Sequence, residues 1–145
     1  MAIEFKGKPV LYVCSSKKQM EELIAKSKEM SSGSEFVLLL DYGSMDAYRV
    51  LPAYVNALIR QKDGIARSNS TWMEMLLLVA GTMNIGKAIR EHGAKNPAKF
   101  MAFATSEALL RKFAAGNGVR VSKKLSLTID ENLSGGVALT EVENG

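Results

Sequence analysis

The sequence predicts a mixed α/β fold in a single domain spanning residues 1–145, with a small, mostly antiparallel sheet covered by helices. Short apolar runs rich in β-branched and aromatic residues favour strands, and amphipathic segments between them favour helices. The clearest strand runs lie at residues 10–14, 36–40 and 100–104. With 145 residues, 47% of them hydrophobic, the chain can bury a core of ordinary size.

The first strand is predicted at residues 10–14, VLYVC. Ser16 is the expected cap of the following helix, in which apolar residues recur at i, i+3 and i+4 from Met20 until about residue 30. The run FVLLL at 36–40 is apolar throughout, which favours a buried central strand.

The second helix is expected to be capped by Ser44. Pro52 lies within its apolar stripe and should kink or split it, because proline removes a backbone donor and its ring crowds the preceding turn. The segment QKDG at 61–64 is predicted to be a loop.

Two short helices follow. Thr71 and Glu74 have capping-box spacing for a buried helix at 72–80, and Gly81 suits its carboxyl end. A second helix is predicted at 83–92, closed by Gly93. Its expected inner face is formed by Ile85, Ala88, Ile89 and His92.

The carboxyl-terminal part continues with a strand at 100–104, FMAFA, and a helix from Ser106 to about residue 115. The GNG sequence at 116–118 predicts a turn. Weak alternation in 119–145 predicts one or two edge strands.

Neither catalysis nor a metal or other cofactor is indicated. The only histidine, His92, falls on the apolar helix face, and Cys14 is expected to be buried. A soft-ligand metal site would need a second histidine or cysteine near either residue. No apolar run approaches the roughly 20 residues of a membrane span, and the start of the chain lacks the pattern of a signal peptide. A cytoplasmic protein with no membrane partner is expected.

The net charge of +4 is concentrated in the middle of the sequence. Residues 1–43 and 100–145 are each neutral, whereas residues 44–99 carry eight basic and four acidic side chains. Positive charge collected in one region attracts phosphates. An ordinary solvated helical surface would also explain a modest excess, so charge alone does not decide between the two.

The segment GTMNIGKA at 81–88 matches the spacing of a phosphate-binding P-loop. Such a loop requires a preceding strand and a Ser or Thr hydroxyl for Mg²⁺, but the sequence has a helix cap and Ala88 at these positions. A P-loop-like nucleotide-binding protein is therefore an alternative and not the favoured interpretation.

A phosphate-binding surface is favoured instead. Gly81 and Thr82, at the junction of two helices, are expected to offer free backbone amides. Tyr48, Tyr54 and Trp72 could stack on a nucleobase, although a core position is the more favoured role for each. The predicted RNA-binding side chains are Arg60, Arg67, Thr82, Asn84, Lys87 and Arg90, with Lys62 beside the first two.

The segment 70–93 resembles the signature of the PRPK-binding protein family, the kinase-associated subunit of the KEOPS complex. The resemblance rests on an apolar-Glu-Met-Leu-Leu-Leu run in the helix at 72–80, where the family has apolar-Glu-Leu-Leu, then G-T-x-N-I from Gly81, then A-I and the closing Gly93. Element order agrees over roughly residues 44–104.

The resemblance implies a non-enzymatic accessory subunit. Such a subunit binds the single-stranded CCA tail of tRNA and the small Bud-type kinase of KEOPS, and it contacts the other subunits indirectly. The complex installs threonylcarbamoyladenosine in tRNA. Met83 stands where the family has an arginine, so phosphate contacts would have to come from Lys87, Arg90 or Arg67. A pure protein–protein adaptor is the further alternative.

Overall fold

The computed structural model describes residues 8–32, 35–43, 47–64 and 70–125. Helices cover both faces of an antiparallel four-stranded sheet in this part of the chain, which confirms the predicted fold class. The strands are β1 (Val10–Ser16), β2 (Val37–Asp41), β3 (Phe100–Ala104) and β4 (Val119–Leu125). The helices are α1 (Met20–Met30), α2 (Val50–Asp63), α3 (Thr71–Ala80), α4 (Ile85–His92) and α5 (Glu107–Asn117), and a 3₁₀ turn (Ala47–Arg49) precedes α2.

The sheet has the order β2-β3-β1-β4, so β2 is an edge strand and not the central strand that its apolar sequence predicts. β3 lies between β2 and β1, with Ala104 opposite both Val37 and Val10. The apolar sequence of β2, which predicted a central strand, has a physical cause. β2 is covered on both faces, and Ala94 N–H donates to Leu39 C=O on its outer edge. Burial therefore makes an edge strand as apolar as a central one.

The two helical layers use alternate residues of each strand. Along β3, Phe100 faces the layer of α1 and α5, whereas Phe103 faces the layer of α2, α3 and α4. Phe103 also anchors an aromatic cluster with Phe36 and Tyr54, whose ring centroids lie 5.0–5.9 Å apart. Tyr54 thus belongs to the core, as favoured from the sequence.

The structure corrects three predictions at helix starts and ends. Ser16 does not cap α1, because it ends β1 and its hydroxyl accepts from Lys18 N–H at 3.1 Å, while Gln19 precedes the helix. Pro52 does not interrupt α2, since it is the third residue, where no intrahelical N–H bond is required. The same helix continues through 61–63, the predicted loop, and ends at the left-handed Gly64.

The last helix and strand follow the sequence closely. Ser106 caps α5 by accepting from Leu109 N–H at 3.2 Å, and β4 is the predicted edge strand. The helix continues to Asn117, two residues beyond the predicted end, and closes at the left-handed Gly118. Two predictions, the Ser44 cap and a strand beyond residue 125, fall outside the described residues. None of the described helices has the length and apolar content needed to cross a bilayer.

The reactivity of Cys14 tests whether β1 is buried in the core. Its side chain is fully buried, as predicted, and burial raises the pKa of the thiol to about 12. Because only the thiolate is reactive, we expect Cys14 to resist a disulfide-exchange reagent at pH 8 in the folded protein and to react promptly in denaturant. Fast labelling under native conditions would contradict the buried position of β1.

Candidate nucleic-acid interface

The junction between α3 and α4 is a tight turn. Gly81 adopts the left-handed conformation at φ 69°, which confirms its predicted place at the end of α3. Gly81 N–H and Thr82 N–H both donate to Leu77 C=O, at 2.9 and 3.3 Å. The prediction that these two amides are free was therefore wrong, because they close the carboxyl end of α3.

The next turn is held by the two predicted polar site residues. Thr82 Oγ1 accepts from Asn84 N–H at 3.2 Å, and Asn84 Oδ1 accepts from Lys87 N–H at 3.1 Å. Asn84 is thus the N-cap of α4, which begins at Ile85, two residues later than predicted. Both side chains act here as acceptors, and their donors, the hydroxyl proton and the amide protons, have no partner among the described residues.

Two cations stand beside this turn. The Arg90 side chain reaches back along α4, and its Nη1 lies 3.6 Å from the position that a Cβ would occupy on Gly86, while Asn84 Oδ1 lies 3.3 Å from the same position. Lys87 lies three residues before Arg90 on the neighbouring helix surface, 4.0 Å from the Glu91 carboxylate, and both groups are solvated. We call Thr82, Asn84, Lys87 and Arg90 the α4 cluster.

The α4 cluster has a positive potential. A helix amino terminus carries a partial positive charge, and here it is joined by a guanidinium and an ammonium. The surface pair with Glu91 offsets the Lys87 charge only weakly, because solvated ion pairs contribute little. The cluster can therefore donate hydrogen bonds to an anion that approaches from solvent.

Arg60 has a structural partner. Its Nη1 donates to Glu74 Oε1 at 3.2 Å, and the Glu74 side chain is 0% exposed. The capping box predicted from Thr71 to Glu74 was wrong, because Thr71 is not the N-cap. Ser70 occupies the N-cap position without a side-chain cap hydrogen bond, and Thr71 is the first helical residue.

The predicted site residues do not all converge. Glu74 lies in the first turn of α3, and Ala80 ends that helix about 9 Å further on, so Arg60 and the α4 cluster lie toward opposite ends of α3. The RNA contact predicted for Arg60 stays a prediction, and Arg67 lies outside the described residues. The residues that the structure does bring together are Thr82, Asn84 and Arg90, with Lys87 alongside.

Side-chain exposure on α4 differs in part from the pattern predicted. Ala88 is buried, and Ile85 and His92 are half-buried, as their inner-face positions require. Ile89, however, is 42% exposed, and Met83 in the preceding turn is 70% exposed. Tyr48 is 67% exposed, so the core position favoured for it was wrong.

A groove beside α4 was not predicted. It runs along the outer edge of β2 and is open to solvent. Its walls come from α1 (Ile24, Lys28), α3 (Trp72, Leu76), and α4 with the residue after it (Ile89, Gly93). The Lys28 ammonium lies 5.5 Å from the centre of the half-buried Trp72 ring. The exposed apolar Ile89 was the only local sign of this groove, and sequence periodicity assigned it to the core.

The geometry does not favour a P-loop. The residues before Gly81 form the helix α3, whereas a P-loop follows a strand, and the Gly81 and Thr82 amides are already bonded. No cluster of three or more potential His, Cys, Asp or Glu metal ligands occurs in the ranges that the structure describes.

Comparison with known proteins finds no matching protein-family model and no matching curated protein.

The Arg60–Glu74 pair leads to a stability prediction. We expect Arg60→Ala to lower the free energy of unfolding by about 3 kcal/mol, because it leaves a buried carboxylate without this partner. This loss of about 3 kcal/mol is at the low end of the range for breaking a buried ion pair, because the Arg60 side chain is 30% exposed. Arg90→Ala is the matched control and should stay within about 0.5 kcal/mol in urea unfolding. Equal effects of the two substitutions would contradict a structural role for Arg60.

Proposed function

We propose that this chain is a non-catalytic accessory subunit of KEOPS that binds the 3′ CCA tail of tRNA and the small Bud-type kinase of that complex. The observation that carries the proposal is the convergence of Thr82, Asn84 and Arg90 at the start of α4. These residues lie within segment 70–93, which also carries the family resemblance.

The chemistry of the α4 cluster suits RNA. Hydroxyl and amide donors with a guanidinium are the groups that contact phosphate and sugar oxygens in protein–nucleic acid complexes. The cluster lies on a regular helix with a capped start, so its donors are positioned before binding. Affinity that falls with salt is the expected consequence, since bound phosphates release counterions.

A protein–protein adaptor without RNA contact is the second candidate. The observation that favours it is Met83, which is strongly exposed at the place where the family has an arginine. An exposed apolar side chain in a turn suits a protein contact. The adaptor would bind the kinase but would show no affinity for tRNA at any salt concentration.

The test of the proposed function is a gel-shift titration with intact tRNA and with tRNA lacking its CCA tail, each at two salt concentrations. We expect intact tRNA to bind more tightly and higher salt to weaken it. Absence of binding to either tRNA, in a protein that still binds the kinase, would replace the proposal with the adaptor.

The α4 cluster gives a mutational prediction. Lys87→Glu combined with Arg90→Glu should weaken tRNA binding by roughly tenfold or more, since it removes and repels phosphate contacts. Lys112→Glu combined with Lys123→Glu makes the same change in net charge on exposed parts of α5 and β4. Similar losses in the two double variants would show that net charge alone attracts RNA and would contradict the site.

A further inference from the structure

The strand β4 has one edge without a neighbouring strand. It pairs with β1 on one side, and no strand lies on its other side among the described residues. Alternate residues of an antiparallel strand direct their N–H and C=O groups away from the partner, so β4 presents a row of donors and acceptors on this outer edge. Such an edge binds a further extended segment when the side chains of the two are compatible.

The side chains of β4 determine which segment is compatible. Arg120, Lys123 and Lys124 are exposed. A second copy paired antiparallel through the same edge would bring these cations close to their own copies, and like charges opposite each other on neighbouring strands are destabilising. The outer edge of β4 is therefore unsuited to a second copy of itself and suited to an extended segment with acidic side chains.

The chain itself contains an acidic segment of this kind. Residues 100–145 are neutral in total, but their charges are unevenly distributed. Residues 119–125 carry three basic and no acidic side chains, whereas residues 126–145, which lie outside the described part of the structure, carry four acidic and no basic ones. Within the acidic part, the sequence VALTEVE at 137–143 has the weak alternation that predicts an edge strand.

The order of side chains along β4 gives a direction to the pairing. Val119 and Val121 pack against the layer of α1 and α5, so Arg120 between them points to the opposite face of the sheet. Leu125 packs on that opposite face, against the layer of α2, α3 and α4, and Lys123 lies two residues before it on the same face. From the carboxyl end of β4 toward its amino end, this face therefore presents one apolar residue and then two cations.

The segment 137–143 carries the complementary order. Val137, Leu139, Glu141 and Glu143 share one face of an extended chain, because successive side chains alternate. When this segment runs antiparallel to β4, its apolar start lies beside Leu125 and its two carboxylates lie beside the two cations. A parallel arrangement would place the carboxylates at the apolar end of β4 and lose this match.

Residues 126–136 are long enough to connect the two strands. Neighbouring strands lie about 4.8 Å apart, and each connecting residue can span about 3.3 Å. The connection includes Ser134, Gly135 and Gly136, which are residues that favour turns. Closing a loop of this length costs little more entropy than closing a shorter one.

We propose that residues 137–143 add an antiparallel strand to the outer edge of β4, with Glu141 and Glu143 beside Lys123 and Arg120. The added strand pairs the outward backbone groups of β4 and offsets the positive charge of its side chains. It thereby closes an edge of the sheet at which another extended chain could otherwise bind.

The first measurement detects nuclear Overhauser contacts in the isotope-labelled 145-residue protein, without RNA or kinase. We expect contacts between the α protons of 137–143 and those of 119–125, in antiparallel order, because opposed residues of such a pair lie close together. The β4 amides that point away from β1 should also exchange slowly with solvent, as the amides that face β1 do.

The second measurement compares two charge-reversal variants by amide exchange. Glu141→Lys combined with Glu143→Lys should raise the exchange rate of the outward β4 amides by about tenfold, since two attractions between neighbouring strands become repulsions. The amides that face β1 should keep their slow exchange, which shows that the fold is intact. Asp130→Lys combined with Glu131→Lys makes the same change in net charge within the connection and should leave both sets of amides unchanged.

Each outcome decides the proposal. Contacts between the two segments, with faster exchange only in the variant of Glu141 and Glu143, support it. Absence of these contacts, or equal effects of the two double variants, overturns it. Contacts that disappear on dilution, in a protein that sediments as a dimer at higher concentration, show that the segment pairs between copies and overturn pairing within one chain. None of these measurements involves RNA or the kinase, so the proposed tRNA function stands or falls by its own test.

Discussion

The close approach of Gly93 to α4 determines where the candidate interface lies. A Cβ at this position would be 2.6 Å from Ile89 C=O, so only glycine lets the chain leave the helix directly in extended conformation. Gly93 N–H still bonds Ile89 C=O at 2.9 Å, and the chain then forms a bridge to Leu40. Because this contact holds the end of α4 against the edge of β2, the α4 cluster and the groove share one rigid support.

The basic residues of the middle segment divide into structural and available charges. Arg60 neutralises the buried Glu74 and stabilises the contact between α2 and α3. Lys87 and Arg90 belong to a solvated helix surface, where opposing charge is limited to the solvated Glu91 pair among the described residues. In the sequence, Arg60, Lys87 and Arg90 count as equal positive charges. In the structure, Arg60 pairs with a buried carboxylate, whereas Lys87 and Arg90 lie on the surface. This division concentrates the expected phosphate contacts at α4, beside the exposed Ile89 that lines the groove.

Sequence reasoning located most elements because their signals are local. The strand at Phe100–Ala104 and the left-handed Gly81 follow from apolar patterning and backbone sterics alone. The role of Glu74 could not be predicted, because a T-x-x-E pattern does not reveal an arginine partner fourteen residues earlier. The groove was missed for a similar reason. An apolar run does not show whether a strand is central, so the uncovered stretch of β2 depends on contacts made by Gly93 far along the chain.

The most direct test of an RNA end bound at the α4 cluster is amide chemical-shift mapping, with a tRNA acceptor minihelix ending in CCA added to isotope-labelled protein. At saturation the amide signals of Asn84, the N-cap of α4, and of Gly86, beside the Arg90 guanidinium, should both shift. A bound minihelix that leaves both signals in place and perturbs α5 or β4 instead would contradict the assignment of this surface.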